Sequence, residues 1–169
     1  LYAFGIDITP RKRAEEALKA RNALLDALIN SPVDIVIFSL DQHYCYTTFN
    51  EKHRLEMRQV WQADIQIGSS LLEAMTDPTL RQLARQSIDR ALAGESFTET
   101  QMQPGANIHY EIVWNPVHQA DGTISGVTAF IRNVTERAVL EAAAEESRNV
   151  LLSLLEDQAL DQEALQASE

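Results

Sequence analysis

The sequence predicts an α+β domain carried between two long amphipathic helices. Three observations point there. Residues 10–30 and 135–166 are rich in Ala, Leu, Glu, Lys and Arg, all good helix formers. Between them lie two strand-like runs, several helical ones, then three strand-like runs joined by tight turns. A pattern that ends a strand and starts a helix also occurs twice.

Thr9 suits an N-cap and Pro10 the first helical position, so a helix is expected from there to Asn30, where Ser31-Pro32 ends it. Ala14, Leu18, Leu25 and Leu28 recur on it at heptad spacing. Asp34–Leu40 reads as a strand apolar on both faces, Asp41-Gln42 as a turn, and Tyr44–Phe49 as a second strand of aromatic and β-branched residues. Asn50–Trp61 reads as helical, and Gly68 punctuates the chain. Asp77-Pro78 opens a further helix that Gly94 closes, with Leu80, Leu83, Ala84, Ser87, Ile88, Ala91 and Leu92 on one continuous face. Strands are expected at 96–103, 108–117 and 123–133, with turns at Pro104-Gly105 and Asp121-Gly122. In the middle one, Ile108, Tyr110, Ile112 and Trp114 alternate with polar residues. Thr135 then caps a helix reaching about Gln166, on which Leu140, Ala144, Ser147, Leu151 and Leu154 alternate by four and three before the phase slips. Both flanking helices are too thinly apolar to stand alone. Pairing across a homodimer, through Leu18, Leu25, Leu28, Leu140, Leu151 and Leu154, is expected over folding back onto the domain.

The charge balance sets limits on partners. Lys and Arg number 14 against 25 Asp and Glu, a net charge of −11. This argues against nucleic acid or an anionic membrane surface, which need clustered cations. No apolar run approaches the ~20 residues of a membrane span, so no membrane insertion is expected. A single cysteine, Cys45, excludes an internal disulfide framework and a multi-cysteine zinc site. That fits a reducing, cytoplasmic setting. The chain opens on Leu1 rather than Met and is expected to come from a longer protein.

The repeated pattern is the most informative feature. Tyr2-Ala3-Phe4-Gly5-Ile6-Asp7-Ile8-Thr9-Pro10-Arg11 is echoed by Thr128-Ala129-Phe130-Ile131-Arg132-Asn133-Val134-Thr135-Glu136-Arg137 at an offset of 126 residues. Ala3, Phe4, Thr9 and Arg11 recur identically, and Asp7 becomes Asn133. Together with Phe49-Asn50-Glu51-Lys52-His53, with Arg90-Ala91-Leu92-Ala93-Gly94-Glu95-Ser96-Phe97, and with Asn115-Pro116-Val117, Asp121-Gly122 and Gly126, these residues resemble a PAS domain of bacterial sensory proteins. Asp7-Ile8-Thr9 resembles the exit motif of that family.

The resemblance implies a five-stranded antiparallel sheet with helices on one face. It divides the chain into the end of a preceding PAS unit (1–9), a linker helix (10–31), the PAS domain (32–136) and a C-terminal signalling helix (137–169). It implies a sensor without catalytic residues, passing its signal to a neighbouring PAS unit or to an output domain of histidine kinase or diguanylate cyclase type. Asp7, Thr9, Asn133, Thr135 and Arg137 are the expected relay residues. Asn133 departs from the family's Asp and forms no ion pair.

A small-molecule pocket on this scaffold would be lined by Ile35 or Phe38, and by His53, Met57, Trp61, Leu72, Leu83, Tyr110, Ile112, Trp114 and Ile131. The alternative is that these residues simply fill the core. The Gly68-Ser69-Ser70-Leu71 stretch has no thiol, and Tyr110 and Ile131 stand where light-sensing relatives carry flavin-binding amides, so a covalent flavin photoadduct is not expected. Haem is not expected either, since oxygen-sensing haem relatives carry an axial histidine on the long helix and residues 77–94 contain none, although another imidazole remains open as an axial ligand. No metal site is expected, and Cys45 is left open between a redox sensor and inert packing. No nucleophile elbow, phosphate loop or zinc-protease motif occurs, and Asp77 is better read as a cap than as an acid–base partner of Glu99. The sequence therefore reads as a sensory relay module. A ligand-free dimerisation spacer and a small-molecule enzyme on the same scaffold are the rival readings.

Overall fold

The computed structural model describes residues 9–103 and 108–166. The elements are α1 (Thr9–Asn30), β1 (Ile35–Asp41), β2 (Tyr46–Phe49), α2 (Glu51–Trp61), α3 (Leu71–Ala74), α4 (Pro78–Leu92), β3 (Phe97–Gln103), β4 (Ile108–His118), β5 (Ile124–Asn133) and α5 (Thr135–Gln166). The strands form one antiparallel five-stranded sheet in the order β2-β1-β5-β4-β3. The chain divides into two compact units, 1–99 with 111–132, and 100–110 with 133–169.

In the first unit the register of β1 against β5 sets the core. Val36 faces Ile131, Phe38 faces Ala129 and Leu40 faces Val127. Alternate residues on paired strands share a face. Val36, Phe38, Leu40, Val127 and Ala129 are all buried there, as are Ile112 and Trp114 of β4. Ile37, on the opposite face of β1, is buried too, as expected for a strand apolar on both sides. Gly126 is required at its position. A Cβ there would lie 2.0 Å from the Leu40 carbonyl oxygen.

Several boundaries differ from the sequence reading, each for a local reason. β2 begins at Tyr46 rather than Tyr44, because Tyr44 adopts a left-handed φ of 63° and lengthens the turn. The Asp41 carboxylate holds that turn, accepting from the amides of His43 and Cys45 at 2.8 and 2.9 Å. Asn50 caps α2 instead of joining it. The short α3, capped by Ser70, is an element that the sequence pattern does not separate. On α4, Asp77 caps as expected, accepting from Thr79 and Leu80. The apolar face is narrower than its spacing implied. Ser87, Ile88 and Ala91 are buried, but Leu83 is 43 % exposed. The Asp121-Gly122 turn forms as read, with the Asp121 carboxylate accepting from Thr123 and Gly122 at φ +84°. Pro104-Gly105 and residues 1–8, including Asp7, lie outside the described residues.

α1 includes Thr9, which the sequence reading places outside it as the cap before Pro10, and its leucines Leu18, Leu24, Leu25 and Leu28 are exposed. In the second unit, α5 likewise exposes Leu140, Leu151 and Leu154, together with Val139, Val150, Leu152 and Leu155. Glu141, Glu145 and Glu146 are exposed on this helix.

Candidate functional site

Two places bring the expected residues together. The first is the interior beneath β1. Asn50, 1 % exposed, stitches α2 to this strand. Its Oδ1 accepts from the amides of Ile37 at 3.1 Å and His53 at 3.0 Å, while its Nδ2 donates to the Ile35 carbonyl at 2.8 Å. This fixes the first turn of α2 and aims His53 inward. The His53 ring stacks on Phe38 with centroids 4.6 Å apart, and its Nε2 lies 2.8 Å from the Tyr46 hydroxyl. Phe38 meets Tyr46 and Trp114 edge-on, both at 6.0 Å, and Tyr46 meets Phe49 at 5.4 Å.

Burial dominates the electrostatics here. It pushes the His53 pKa down to about 3 and raises the Tyr46 phenol well above its ordinary value. The two therefore form a neutral pair at neutral pH. His53 behaves as a hydrogen-bonded wall residue, with its Nε2 engaged and one face covered.

Of the residues expected to line a pocket, His53, Met57, Leu72, Ile112 and Trp114 are buried. Trp61, Tyr110 and Ile131 are half-buried, and Ile131 shares the core face of β5 through its pairing with Val36. Leu83 does not belong with them, because it is exposed on α4. A hollow of about 370 Å³ lies elsewhere, open to solvent, among Cys45, Asp64, Gly68, Ser69 and Glu73. None of the expected pocket residues borders it.

One polar cluster escaped the sequence reading. Glu99 on β3 accepts from Ser87 Oγ and from the Trp114 indole N–H, each at 2.8 Å. The signal was present in a serine on the apolar face of α4. Asp77 serves as the cap of α4, and Glu99 accepts from these two donors. Among the described residues no group of three or more side chains is placed to hold a metal ion. None of the helices there is long and apolar enough to cross a membrane.

The second place is the junction between β5 and α5. The sequence reading made Thr135 the cap of α5, but the structure gives its hydroxyl a different task. Asn133 Oδ1 accepts from the Thr135 amide at 2.9 Å and from its hydroxyl at 2.7 Å. Thr135 Oγ1 in turn accepts from the His109 amide of β4 at 2.9 Å. The His109 carbonyl accepts from the Val134 amide at 2.8 Å. The Val134 carbonyl then takes the first bond of the helix, from Ala138. One residue of β4 is thus held at both its backbone polar groups by the start of α5. Arg137 lies one turn from Glu141, with their charged atoms 3.7 Å apart.

A protein-family model described as the PAS fold matches residues 30–139. The chain belongs to the PAS-fold family. Solved structures agree on the fold. The PAS domain of Bordetella pertussis BvgS superposes with a TM-score of 0.54 at 20 % identity, over 78 % of this chain and 98 % of that one. The phage VqmA–DPO complex gives 0.54 at 15 % identity, over 79 % and 62 %. The Vibrio cholerae VqmA–ligand–DNA complex gives 0.53 at 16 % identity, over 75 % and 56 %. At these identities the PAS fold is what is shared. No curated protein matches the sequence.

Proposed function

We propose that this PAS chain is a sensory and relay module without catalytic residues, working as a homodimer through its flanking helices. It hands a conformational change through α5 to a neighbouring PAS unit or an output domain of histidine kinase or diguanylate cyclase type. The observation that carries this is the double hold on His109. A displacement of β4 there must break a bond to Thr135 or Val134, or carry the first turn of α5 with it. The exposed leucines of α1 and α5 supply surfaces that a partner helix can read. On this reading 1–9 end a preceding PAS unit, 10–31 link, 32–136 form the sensor and 137–169 signal onward. The setting is cytoplasmic. Its net charge of −11 disfavours DNA as this chain's partner.

A ligand-free spacer is the second reading, favoured by the ring contacts of Phe38, Tyr46, His53 and Trp114 beneath β1. Native mass spectrometry separates the two. A retained small molecule supports ligand sensing, and a bare protein supports the spacer.

The relay itself is tested by joining the chain after Gln166 to a histidine-kinase catalytic region and measuring autophosphorylation. Thr135→Val removes the acceptor for the His109 amide with little change of shape. A hydrogen bond of about 1 kcal/mol is worth roughly five-fold in a two-state equilibrium, and a change of that order is expected. Wild-type activity in the variant would overturn the relay reading.

A further inference from the structure

The exposed stripes of α1 and α5 are unequal in charge and shape. α1 carries Arg11, Lys12, Arg13, Lys19 and Arg21 against Glu15, Glu16 and Asp26, a net +2. α5 carries eight acidic residues against Arg137 and Arg148, a net −6. The seam of α1 is also broken. Between Leu18 and Leu25, at heptad spacing from both, stands Arg21. A parallel pair of α1 helices would set Arg21 against its own copy in the seam, where like charges repel. A pair of α5 helices would bring −6 against −6.

The two stripes are instead complementary. At the 126-residue offset of the repeated junction, Ala14 corresponds to Leu140, Leu18 to Ala144, Arg21 to Ser147, Leu25 to Leu151 and Leu28 to Leu154. In a parallel pair at that register, large would meet small in the first two layers and Arg21 would meet a serine. Leu18 and Leu151 are 58 % and 61 % exposed, so both stripes are uncovered in the single chain.

We propose that the occupant of the α5 stripe is α1 of a second copy of this chain, so that the dimer pairs unlike helices rather than like with like. This rests on the dimer reading above and specifies its partner surfaces.

The test uses the full chain with Cys45→Ser and a single new cysteine, either Leu25→Cys on α1 or Leu151→Cys on α5. Leu18→Cys and Leu154→Cys serve as a second pair, so that either helix orientation is sampled. Disulfide cross-linking under mild oxidation is run on each variant alone and on mixtures, beside light scattering at rising salt. Unlike pairing predicts covalent dimers in α1–α5 mixtures and little or none in single variants. It also predicts a dimer that weakens as salt screens the attraction. Self-cross-linking of single variants, with a dimer that strengthens in salt, would overturn the unlike pairing and leave the dimer standing. A monomer at every protein and salt concentration would overturn both.

Discussion

Replacing Asn50 by alanine tests how the domain holds α2 against its sheet. The side chain makes three hydrogen bonds, accepting from Ile37 and His53 and donating to Ile35. Alanine leaves two amides and a carbonyl without partners where Asn50 itself is 1 % exposed. At about 1 kcal/mol net for each bond, the loss is about 3 kcal/mol. In urea, with a slope of about 2 kcal/mol/M, the midpoint falls by about 1.5 M. Asn50→Ser keeps an oxygen able to cap His53 but too short to reach β1, and should recover about 1 kcal/mol. Equilibrium urea unfolding followed by Trp fluorescence measures all three proteins. If Asn50→Ala costs under about 1 kcal/mol, water has replaced these bonds and the side chain is not the stitch described. If Ser is no better than Ala, the cap contributes nothing and the bonds to β1 carry the whole effect.

Further predictions follow from the same interior and its surroundings. His53 has a folded pKa of about 3 against 6.5 unfolded, so between those values the unfolded chain binds the extra proton and stability rises with pH. The unfolding free energy from urea titrations between about pH 5 and 6.5, above the carboxylate range, should rise by up to about 1.4 kcal/mol per pH unit, and His53→Gln should flatten that slope. Gly126→Ala drives a methyl into the Leu40 carbonyl and should cost about 3 kcal/mol or more, read by thermal unfolding. Gly122→Ala, at φ +84° with nothing near, should cost only about 1 kcal/mol by the same measurement. Trp114→Phe removes the indole donor to Glu99 and should lower stability by about 1–2 kcal/mol, whereas an unchanged melting curve would mean that the indole bond adds nothing to what the carboxylate gains from Ser87 and its surroundings.

The fold was legible wherever periodicity and punctuation agreed. Asp77-Pro78 and Asp121-Gly122 act through their own local geometry, so α4 and the β4–β5 turn fall where the sequence puts them. Both flanking helices fall within about a residue of the expected bounds, because no Gly, and no Pro beyond the first turn, interrupts them. What stayed hidden depends on contacts between distant residues. The left-handed Tyr44 shortens β2 through a turn organised by Asp41, and no periodicity announces that. Leu83 has helical spacing but lies outside the arc of α4 that the core covers. Sequence reasoning gave Thr135 a local capping role, since the partner it reaches, His109, is 26 residues away along another strand. At the interior site, the residue types were readable but not the pairing of His53 with Tyr46.

The register between β1 and β5 limits what kind of motion this domain can use. Val36 with Ile131, Phe38 with Ala129 and Leu40 with Val127 all lie on the core face. A slip of one residue would take that whole set out of the core and turn it to the opposite face, which is covered at Ile37 but open at Phe130. Burying each such side chain is worth about 1.5–3 kcal/mol, so the slip costs many times what a ligand or a neighbouring domain can supply. Strand slippage is therefore not available as a signal. The junction is different in scale. Thr135 and Val134 hold His109 by two hydrogen bonds, and Asn133 adds its bonds to Thr135. Each is worth about 1 kcal/mol net, so breaking one to three of them costs about 1–3 kcal/mol, the range of coupling energies that shift a two-state equilibrium. The sheet is thus stiff along its strands and breakable at one end, and that end is where α5 begins.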